Sequence, residues 1–344
     1  MFLGSVYGQT RVSGEIDSDT RWVPDQGPYI VEGDIVVMPR ARLLISPGTK
    51  IIISTKNRSP SADPFDKMDS SLISIRVKGA LSCVGRRDRP IIFISEDPQF
   101  QAFKWRGIIL DGASKQFTEI AFTEISGATT AVTAVNSGAI VRNNIIENNN
   151  IGVHCMHGGS LRIYNNIITR NFTAGIKSES SNPSIQNNII VSNRNIGLWC
   201  DGISKVNVEF NCFFGNNDGN FLNCDPELGD ISQVNRKSDS TDGSFNLFRD
   251  PVFSGSIAER RAIALDTQTP TKRSAIVDIS LAEVIYDTIS DSIPVQHYGG
   301  ASHRYSLSPY SPCINAGNPR RAYRNEDGKN NTIGIHGGPE FTSD

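Results

Sequence analysis

Apolar and polar positions follow one fixed order through residues 138–216, and that order repeats every 22 or 23 residues. Each copy reads apolar, two other residues, asparagine, one residue, apolar, two residues, asparagine, and then a glycine beside an apolar residue. The first asparagines of the copies are Asn144, Asn166, Asn188 and Asn211, and the second are Asn149, Asn171, Asn193 and Asn216. A period in the low twenties predicts a solenoid whose coils stack on one another.

The apolar segments inside each copy indicate strands. They are short, rich in β-branched residues and separated by asparagine, glycine and serine, which leaves no room for a helix in each copy. Leucine-rich repeats share the period, but they need a leucine consensus and usually a helical segment. We therefore predict an all-β protein built as a single parallel β-helix, with about 22 residues and about three strands per coil and with coils about 4.8 Å apart.

The repeated asparagines predict the corners of the coil. Asparagine is depleted in strands, whereas asparagine and glycine tolerate the left-handed backbone that a corner between strands requires. Side-chain amides stacked in register also hydrogen-bond along a column. We predict that the eight repeat asparagines form two such structural ladders.

A second isoleucine column raises the question of what covers it. Ile145, Ile167 and Ile189, with Cys212 next in line, each adjoin another apolar residue of the same strand. Neighbouring residues of a strand face opposite ways, so one of the two columns should point outward and need cover. Three interpretations remain open: cover by an insertion of this chain within residues 254–300, cover by a partner protein, or a kink that turns both columns inward.

Segments outside the repeat resemble secreted bacterial proteins with right-handed parallel β-helix repeats. The stretch "SGEIDSDTRWVPDQGPYIVEGDIVVMPRARLLISPGTKIII" (13–53) resembles the opening of that family. The stretches "RPIIFIS" (89–95) and "KWRGIIL" (104–110) resemble the family's next coils. Its closing part is resembled by "NLFRDPVF" (246–253), "SPCINAGNP" (311–319) and "DGKNNTIGIHGGP" (327–339). The resemblance implies a right-handed coil and a secreted, cell-surface or periplasmic location, in a family that spans polysaccharide-processing enzymes, adhesins and proteins of unknown role.

The repeat and the resemblance together predict three parts. Residues 1–28 form a lead-in or cap, 29–224 the β-helix, and 225–344 a C-terminal segment that includes the closing motif. The closing stretches usually lie close together in the family, so 254–300 resembles an insertion. Within it, "SLAEVIYDTISDS" (280–292) predicts one short amphipathic helix with a capping box at its start, and this helix is one candidate cover for the isoleucine column.

The amino terminus allows two interpretations. "MFLGSVYGQT" begins apolar and passes through small residues, but it lacks a basic region and a full apolar core. It fits either the remnant of a secretory signal or a disordered or strand-forming terminus.

Composition excludes several classes of partner. The 344 residues carry a net charge of −2, which gives no electrostatic footprint for nucleic acid. No apolar run is long enough for a transmembrane segment. The six cysteines form no CxxC pair and no zinc spacing, so we expect mostly buried or free thiols, with Cys200 and Cys224 as candidate neighbours on adjacent coils.

Polar side chains align on the strand that follows each second asparagine. The stretches "VHCM", "IKSE" and "LWCD" begin at residues 153, 176 and 198. Strand alternation then predicts one outward column of His154, Lys177 and Trp199 and another of Met156, Glu179 and Asp201.

These columns contain the parts of a carbohydrate site. The candidate catalytic residues are His154, Lys177, Glu179 and Asp201, and the candidate substrate-binding residues are Trp199 and Met156. A base and carboxylates about 5 Å apart on adjacent coils suit acid–base chemistry or Ca²⁺ binding. The alternative is an ordinary solvated face, and no catalytic motif of the resembling family matches this chain residue by residue.

A candidate cation site lies in the closing motif. The stretch "NEDGKNN" (325–331) offers Glu326 and Asp327 as ligands for Ca²⁺. Thr332 stands where the resembling family usually has an aspartate, and a plain Asp-Gly turn is the alternative. No other cofactor is predicted.

Two functions remain as hypotheses. The first is a secreted protein that binds, and in one form processes, an extracellular polysaccharide, as a lyase or a glycoside hydrolase if it is catalytic. The second is a non-catalytic structural or adhesive surface protein that uses the solenoid as a platform for a surface partner. The fold alone does not choose between them.

Overall fold

The regular structure consists almost entirely of short parallel strands. A computed structural model describes residues 8–55, 72–97, 103–254, 305–325 and 327–338. These residues form a parallel β-solenoid of about 8 turns, with about 23 residues per turn. The predicted all-β parallel coil is therefore confirmed.

Each coil contributes one strand to each of three parallel sheets. The first sheet contains Thr20–Trp22, Arg42–Ile45, Ala80–Val84, Glu119–Ala121, Ile140–Arg142, Arg162–Tyr164, Ser184–Gln186 and Asn207–Glu209. The second contains Lys50–Ile53, Ile91–Ser95, Thr123–Ile125, Ile145–Glu147, Ile167–Thr169, Ile189–Val191 and Cys212–Phe214. The third contains Ser74–Val77, Gly107–Asp111, Thr130–Val135, Ile151–Met156, Ala174–Glu179, Ile196–Cys200 and Gly219–Leu222. The long strand Tyr29–Val37 joins the second and third sheets.

Strands already form within the predicted lead-in. Thr10–Ile16 pairs in parallel with Tyr29–Val37, and Thr20–Trp22 pairs with the next strand of the first sheet. After the last coil, Ile231–Val234 and Ser240–Asp242 form an antiparallel pair.

Helical structure is minor in the part of the chain that the structure describes. It is limited to two 3₁₀ turns, Pro24–Gln26 and Arg321–Tyr323, and no helix there is long and apolar enough to cross a membrane. The helix predicted at 280–292 lies outside the described residues, as does most of the predicted insertion at 254–300.

Inward-facing aliphatic columns form the core of the solenoid. In the first sheet Val141, Ile163 and Ile185 stand in register and are fully buried. The second and third sheets add equivalent inward columns to the same cluster. Each such side chain contributes about 1.5–3 kcal/mol to folding, and because like residues lie over one another, the same packing recurs on every coil.

The predicted asparagine ladders are present. In the first ladder, the side-chain amide of each asparagine donates to the side-chain oxygen of the asparagine one coil on, at 2.9–3.0 Å, in the order Asn144, Asn166, Asn188, Asn211 and Asn246. The second ladder joins Asn149, Asn171, Asn193 and Asn216 in the same way, at 2.9–3.1 Å. Asn246 lies outside the repeat but continues the first ladder.

The left-handed corner residue is not the ladder asparagine, which corrects the sequence interpretation. It is the residue immediately before it: Asn143, Asn165 and Asn187 have φ values of 53°, 57° and 58°. The ladder asparagine points its side chain inward, where the amide also reaches main-chain carbonyls such as those of Val141 and Tyr164. The repeated pair "NN" therefore combines a corner residue with a ladder residue.

The outer isoleucine column points outward and is covered by this chain. Its four members, Ile145, Ile167, Ile189 and Cys212, form a second apolar cluster with Leu247, Tyr305, Cys313, Ile333 and Ile335. Among the described residues, most of the cover comes from residues 305–338, which we call the closing segment, while the candidate cover at 280–292 lies outside them. The inward-kink interpretation is wrong, because this cluster is separate from the core inside the coil.

The corner asparagines hold the closing segment in place. The Asn143 side chain donates to the carbonyls of Ile335 and Gly337, both at 3.0 Å. The Asn165 side chain donates to the Asn331 side chain at 2.8 Å and to the carbonyls of Thr332 and Gly334. The outer face of the "NN" pair therefore binds backbone that would otherwise be buried without partners.

The glycines of the closing segment permit this close approach. Gly334 has a φ of +93°, and a Cβ placed there would lie 2.6 Å from Ile189 Cδ1. A Cβ at Gly337 would lie 1.7 Å from the Thr332 carbonyl oxygen. Because no side chain fits at either position, the segment "IGIHGG" (333–338) is matched to the surface that it covers.

Candidate functional site

The predicted outward columns of the third sheet are in register. His154 pairs with Lys177 and Met156 with Glu179 on the next coil, and Lys177 pairs with Trp199 one coil further. Strand alternation thus places these side chains as the sequence predicted.

Glu179 links the side chains of Lys177 and His154. Lys177 Nζ donates to Glu179 Oε1 at 2.7 Å, and His154 Nε2 lies 2.7 Å from Glu179 Oε2. Lys177 Nζ also lies 4.4 Å from the centre of the Trp199 ring, within cation–π range. We call His154, Lys177, Glu179 and Trp199 the polar quartet.

Because the Lys177 side chain is buried, its contacts with Glu179 and Trp199 are important for stability. The Lys177 side chain is only 9% exposed, against 35% for that of Glu179. A buried ammonium needs a partner because its desolvation is costly, and both Glu179 and the Trp199 ring supply one. The quartet is therefore a connected unit that fixes the rotamers of its members.

The pKa of Glu179 is lowered from its ordinary value of 4.5. Partial burial acts to raise the pKa, but the hydrogen bonds and positive charges of Lys177 and His154 outweigh it. Glu179 is therefore ionised at neutral pH and holds no proton to give to a glycosidic oxygen, which a general acid must do.

Asp201 is engaged in a turn. Its Oδ2 accepts from the Ser180 amide at 2.6 Å, and its Oδ1 accepts from the amides of Ile203 and Ser204 at 3.1 and 2.8 Å. Despite some desolvation, these donors lower the pKa of Asp201 below its ordinary value. Its carboxylate therefore closes the turn after the strand, and its catalytic role stays a prediction.

Met156 lies at the edge of the same surface. It is half-buried and stands in register with Glu179. Its position next to the quartet is compatible with an apolar contact to a ligand, and this role also stays a prediction.

The candidate Ca²⁺ turn is closed by a lysine. Asp327 forms an ion pair with Lys329 Nζ at 2.9 Å and accepts the Lys329 amide at 3.0 Å. The hydrogen bond from Lys329 is the main reason that the pKa of Asp327 is lowered. Glu326 lies outside the described residues, and those residues contain no group of three His, Cys, Asp or Glu side chains placed to hold a metal. The Ca²⁺ site stays a prediction.

Sequence reasoning missed a shallow surface cleft beside Ile335 of the closing segment. Its walls include Arg86, Arg87, Glu124, Asn143 and His336. Glu124 pairs with Ile145 and so continues the outer column one coil beyond it. The outer column therefore changes from isoleucine at 145 to glutamate at 124. This change was the signal in the sequence that the apolar cover does not extend to the coil of Glu124.

Acidification is expected to weaken the quartet. The folded pKa of Glu179 lies below 4.5, so its contribution to stability is complete above that pH and is lost as the pH falls through the folded pKa. Unfolding midpoints measured from neutral pH to about pH 3 should fall less steeply for Glu179→Gln than for wild type. The exposed Glu227→Gln variant is the control, and equal slopes for wild type and Glu179→Gln would refute the linkage.

Comparison with known protein families supports the β-helix fold. Residues 96–225 match the family model described as the right handed beta helix region. No curated protein and no solved structure matches the chain.

Proposed function

Because the chain contains a right-handed β-helix region, we propose that it binds an extracellular polysaccharide along the third sheet, around the polar quartet. Proteins with this fold are often active on polysaccharides or work at surfaces. The observation that carries the proposal is the in-register column of His154, Lys177 and Trp199 with Glu179 beside it. Successive coils repeat about every 4.8 Å, which suits an extended polymer that contacts several coils.

The chemistry of the quartet favours recognition of sugar hydroxyls. Glu179 and His154 supply an anionic acceptor and an imidazole, and the Trp199 ring supplies an apolar surface for the C–H face of a sugar. The members are held by one another, so little side-chain freedom is lost when a ligand binds. Preorganised polar groups next to an aromatic ring are typical of ligand sites that combine orientation with apolar contact.

Binding is better supported than bond cleavage. Glu179 is ionised through its contacts with Lys177 and His154, and Asp201 accepts three main-chain donors. A glycoside hydrolase needs one protonated carboxyl besides the ionised one. We therefore propose a secreted, cell-surface or periplasmic binding protein, with lyase or hydrolase activity as the outcome to be excluded by assay.

Replacing Trp199 with alanine should weaken glycan binding by between about twofold and tenfold, since aromatic contacts contribute about 0.5–1.5 kcal/mol beyond burial and 1.4 kcal/mol corresponds to a factor of ten. Affinity electrophoresis against neutral and acidic polysaccharides measures this effect. The control is Phe117→Ala, which removes an aromatic side chain that is 51% exposed outside the third sheet.

Three outcomes would contradict the proposal. The wild type binds no polysaccharide of the panel, Trp199→Ala binds as well as Phe117→Ala, or new reducing ends or unsaturated products accumulate. The last outcome would retain the ligand class but replace binding by catalysis.

The structural or adhesive alternative loses one of its two predicted interfaces. Under that hypothesis, either the outer isoleucine column or residues 254–300 would form the interface through which the protein assembles with other molecules. The column is covered by the closing segment of the same chain, so the solenoid needs no partner to bury it.

A further inference from the structure

Four of the six cysteines lie in two pairs. Cys200 Sγ and Cys224 Sγ are 2.6 Å apart, on consecutive coils and 24 residues apart in sequence. Cys212 and Cys313 contact each other inside the outer apolar cluster, and both are fully buried. The two other cysteines lie elsewhere: Cys83 contacts Thr123 and Cys155 belongs to an inward column.

We propose that Cys200–Cys224 and Cys212–Cys313 are two disulfide-forming sites, and that the second cross-links the closing segment to the solenoid. The Cys200 and Cys224 sulfur atoms face each other from consecutive coils, which is the placement that a disulfide requires. The proposal does not depend on glycan binding.

The inward column of the third sheet excludes a disulfide between Cys155 and Cys200. Cys155, Ser178 and Cys200 follow one another in register, which puts Cys155 and Cys200 two coils apart, about 9–10 Å. That separation is too large for a disulfide. Cys200 is therefore matched to Cys224 on the following coil and not to Cys155.

The Cys212–Cys313 position has the larger structural consequence. Cys212 continues the outer column after Ile189, and Cys313 belongs to the closing segment that covers this column. A bond there closes a loop of about 100 residues, which restricts the unfolded chain more than the short Cys200–Cys224 loop does. It would hold the cover on the outer column even when its hydrogen bonds to the corner asparagines open.

At Cys212 and Cys313, which are fully buried, oxidation must occur before the closing segment covers them. A thiolate of each pair attacks a disulfide of a protein or small-molecule oxidant and releases one oxidant thiol, and the second thiolate then attacks the resulting mixed disulfide and releases the other oxidant thiol. Each pair loses two electrons and two protons, and the oxidant is released as two thiols. Because such bonds persist in oxidising compartments, the proposal also predicts where the protein works.

Thiol counting tests the pairing directly. The full-length protein, made in an oxidising compartment and purified without reductant, is denatured and treated with N-ethylmaleimide. Intact mass should show two adducts, at Cys83 and Cys155, and six adducts after reduction. Non-reduced peptide maps should contain the two proposed linked peptides. The Cys83→Ser variant should show one adduct fewer without reduction and should keep both linked peptides. Six adducts without reduction, or linked peptides with another pairing, would overturn the proposal.

Burial gives a second readout. Cys224 is partly exposed, whereas Cys212 and Cys313 are fully buried. Mild reduction of the native protein should therefore add labels at Cys200 and Cys224 only. Simultaneous labelling of all four cysteines in the folded protein would contradict the proposed cross-link beneath the closing segment.

Discussion

Replacement of Asn166 with alanine is expected to lower the free energy of unfolding by about 3–5 kcal/mol, because it leaves several buried polar groups without partners at about 1–3 kcal/mol each. Asn166 is fully buried. Its side-chain oxygen accepts both the backbone and the side-chain amide of Asn144, at 3.0 Å each. Its own amide donates to the carbonyls of Val141 and Tyr164 and to Asn188.

Chemical unfolding of Asn166→Ala beside Asn207→Ala measures this effect. Asn207 is exposed on a neighbouring strand of the first sheet, so its replacement should change stability by less than about 0.5 kcal/mol. The two variants remove the same atoms from the same chain. Equal losses of stability would mean that the ladder contributes no more than an ordinary surface asparagine.

Introducing a charge into the outer cluster is expected to release the part of the closing segment that follows Cys313. Ile333 is fully buried and packs against the outer column with Ile335 and Cys313. Ile333→Asp places a carboxylate in an apolar site, which costs several kcal/mol without a partner. The solenoid beneath has its own core and ladders, so it should stay folded while the outer isoleucines become exposed.

Three measurements on Ile333→Asp separate release from unfolding. The β-sheet circular dichroism should persist, proteolysis within 305–338 should accelerate, and the exposed apolar column should bind a hydrophobic dye and promote self-association. Ile333→Val is the control, since it costs only about 0.5–1.5 kcal/mol. Loss of the β-sheet signal together with the closing segment would show that the two do not separate.

The coil was predictable because its information is local and periodic. An asparagine must recur at each ladder position, since each amide bonds the next one, and the inward aliphatic residues must recur for the same geometric reason. The 22- to 23-residue spacing therefore records the stacking directly. The columns of His154, Lys177 and Trp199 followed from strand alternation within that register.

What the sequence did not predict depends on backbone geometry or on distant segments. In the pair "NN" both letters are the same, so the sequence does not say that Asn165 turns the corner while Asn166 enters the ladder. Asn246 joins the ladder 35 residues after Asn211, outside the period. The cover of the isoleucine column comes from Ile333 and Ile335, which are more than 100 residues beyond the repeat.

In the candidate site, too, the sequence predicted the register of the residues but not all of their contacts. The register placed Glu179 near Lys177, but only the side-chain positions show that it bonds His154 as well. Asp201 was predicted to share the outward column, and it does follow Glu179 by one coil. Its role in the turn at Ser180 and Ser204 depends on the loop conformation, which strand alternation does not determine.

Hydrogen exchange of asparagine side-chain amides tests the stacked coil most directly. In protein labelled with ¹⁵N at asparagine, the side-chain amide protons of the ladder asparagines should be protected in D₂O and exchange only when the solenoid unfolds. The amide protons of exposed Asn207 should be lost at once, and Asn166→Ala should abolish protection at Asn144 first. Exchange of all asparagine side chains at the rate of Asn207 would contradict the ladders and the stacking of coils on which the whole account depends.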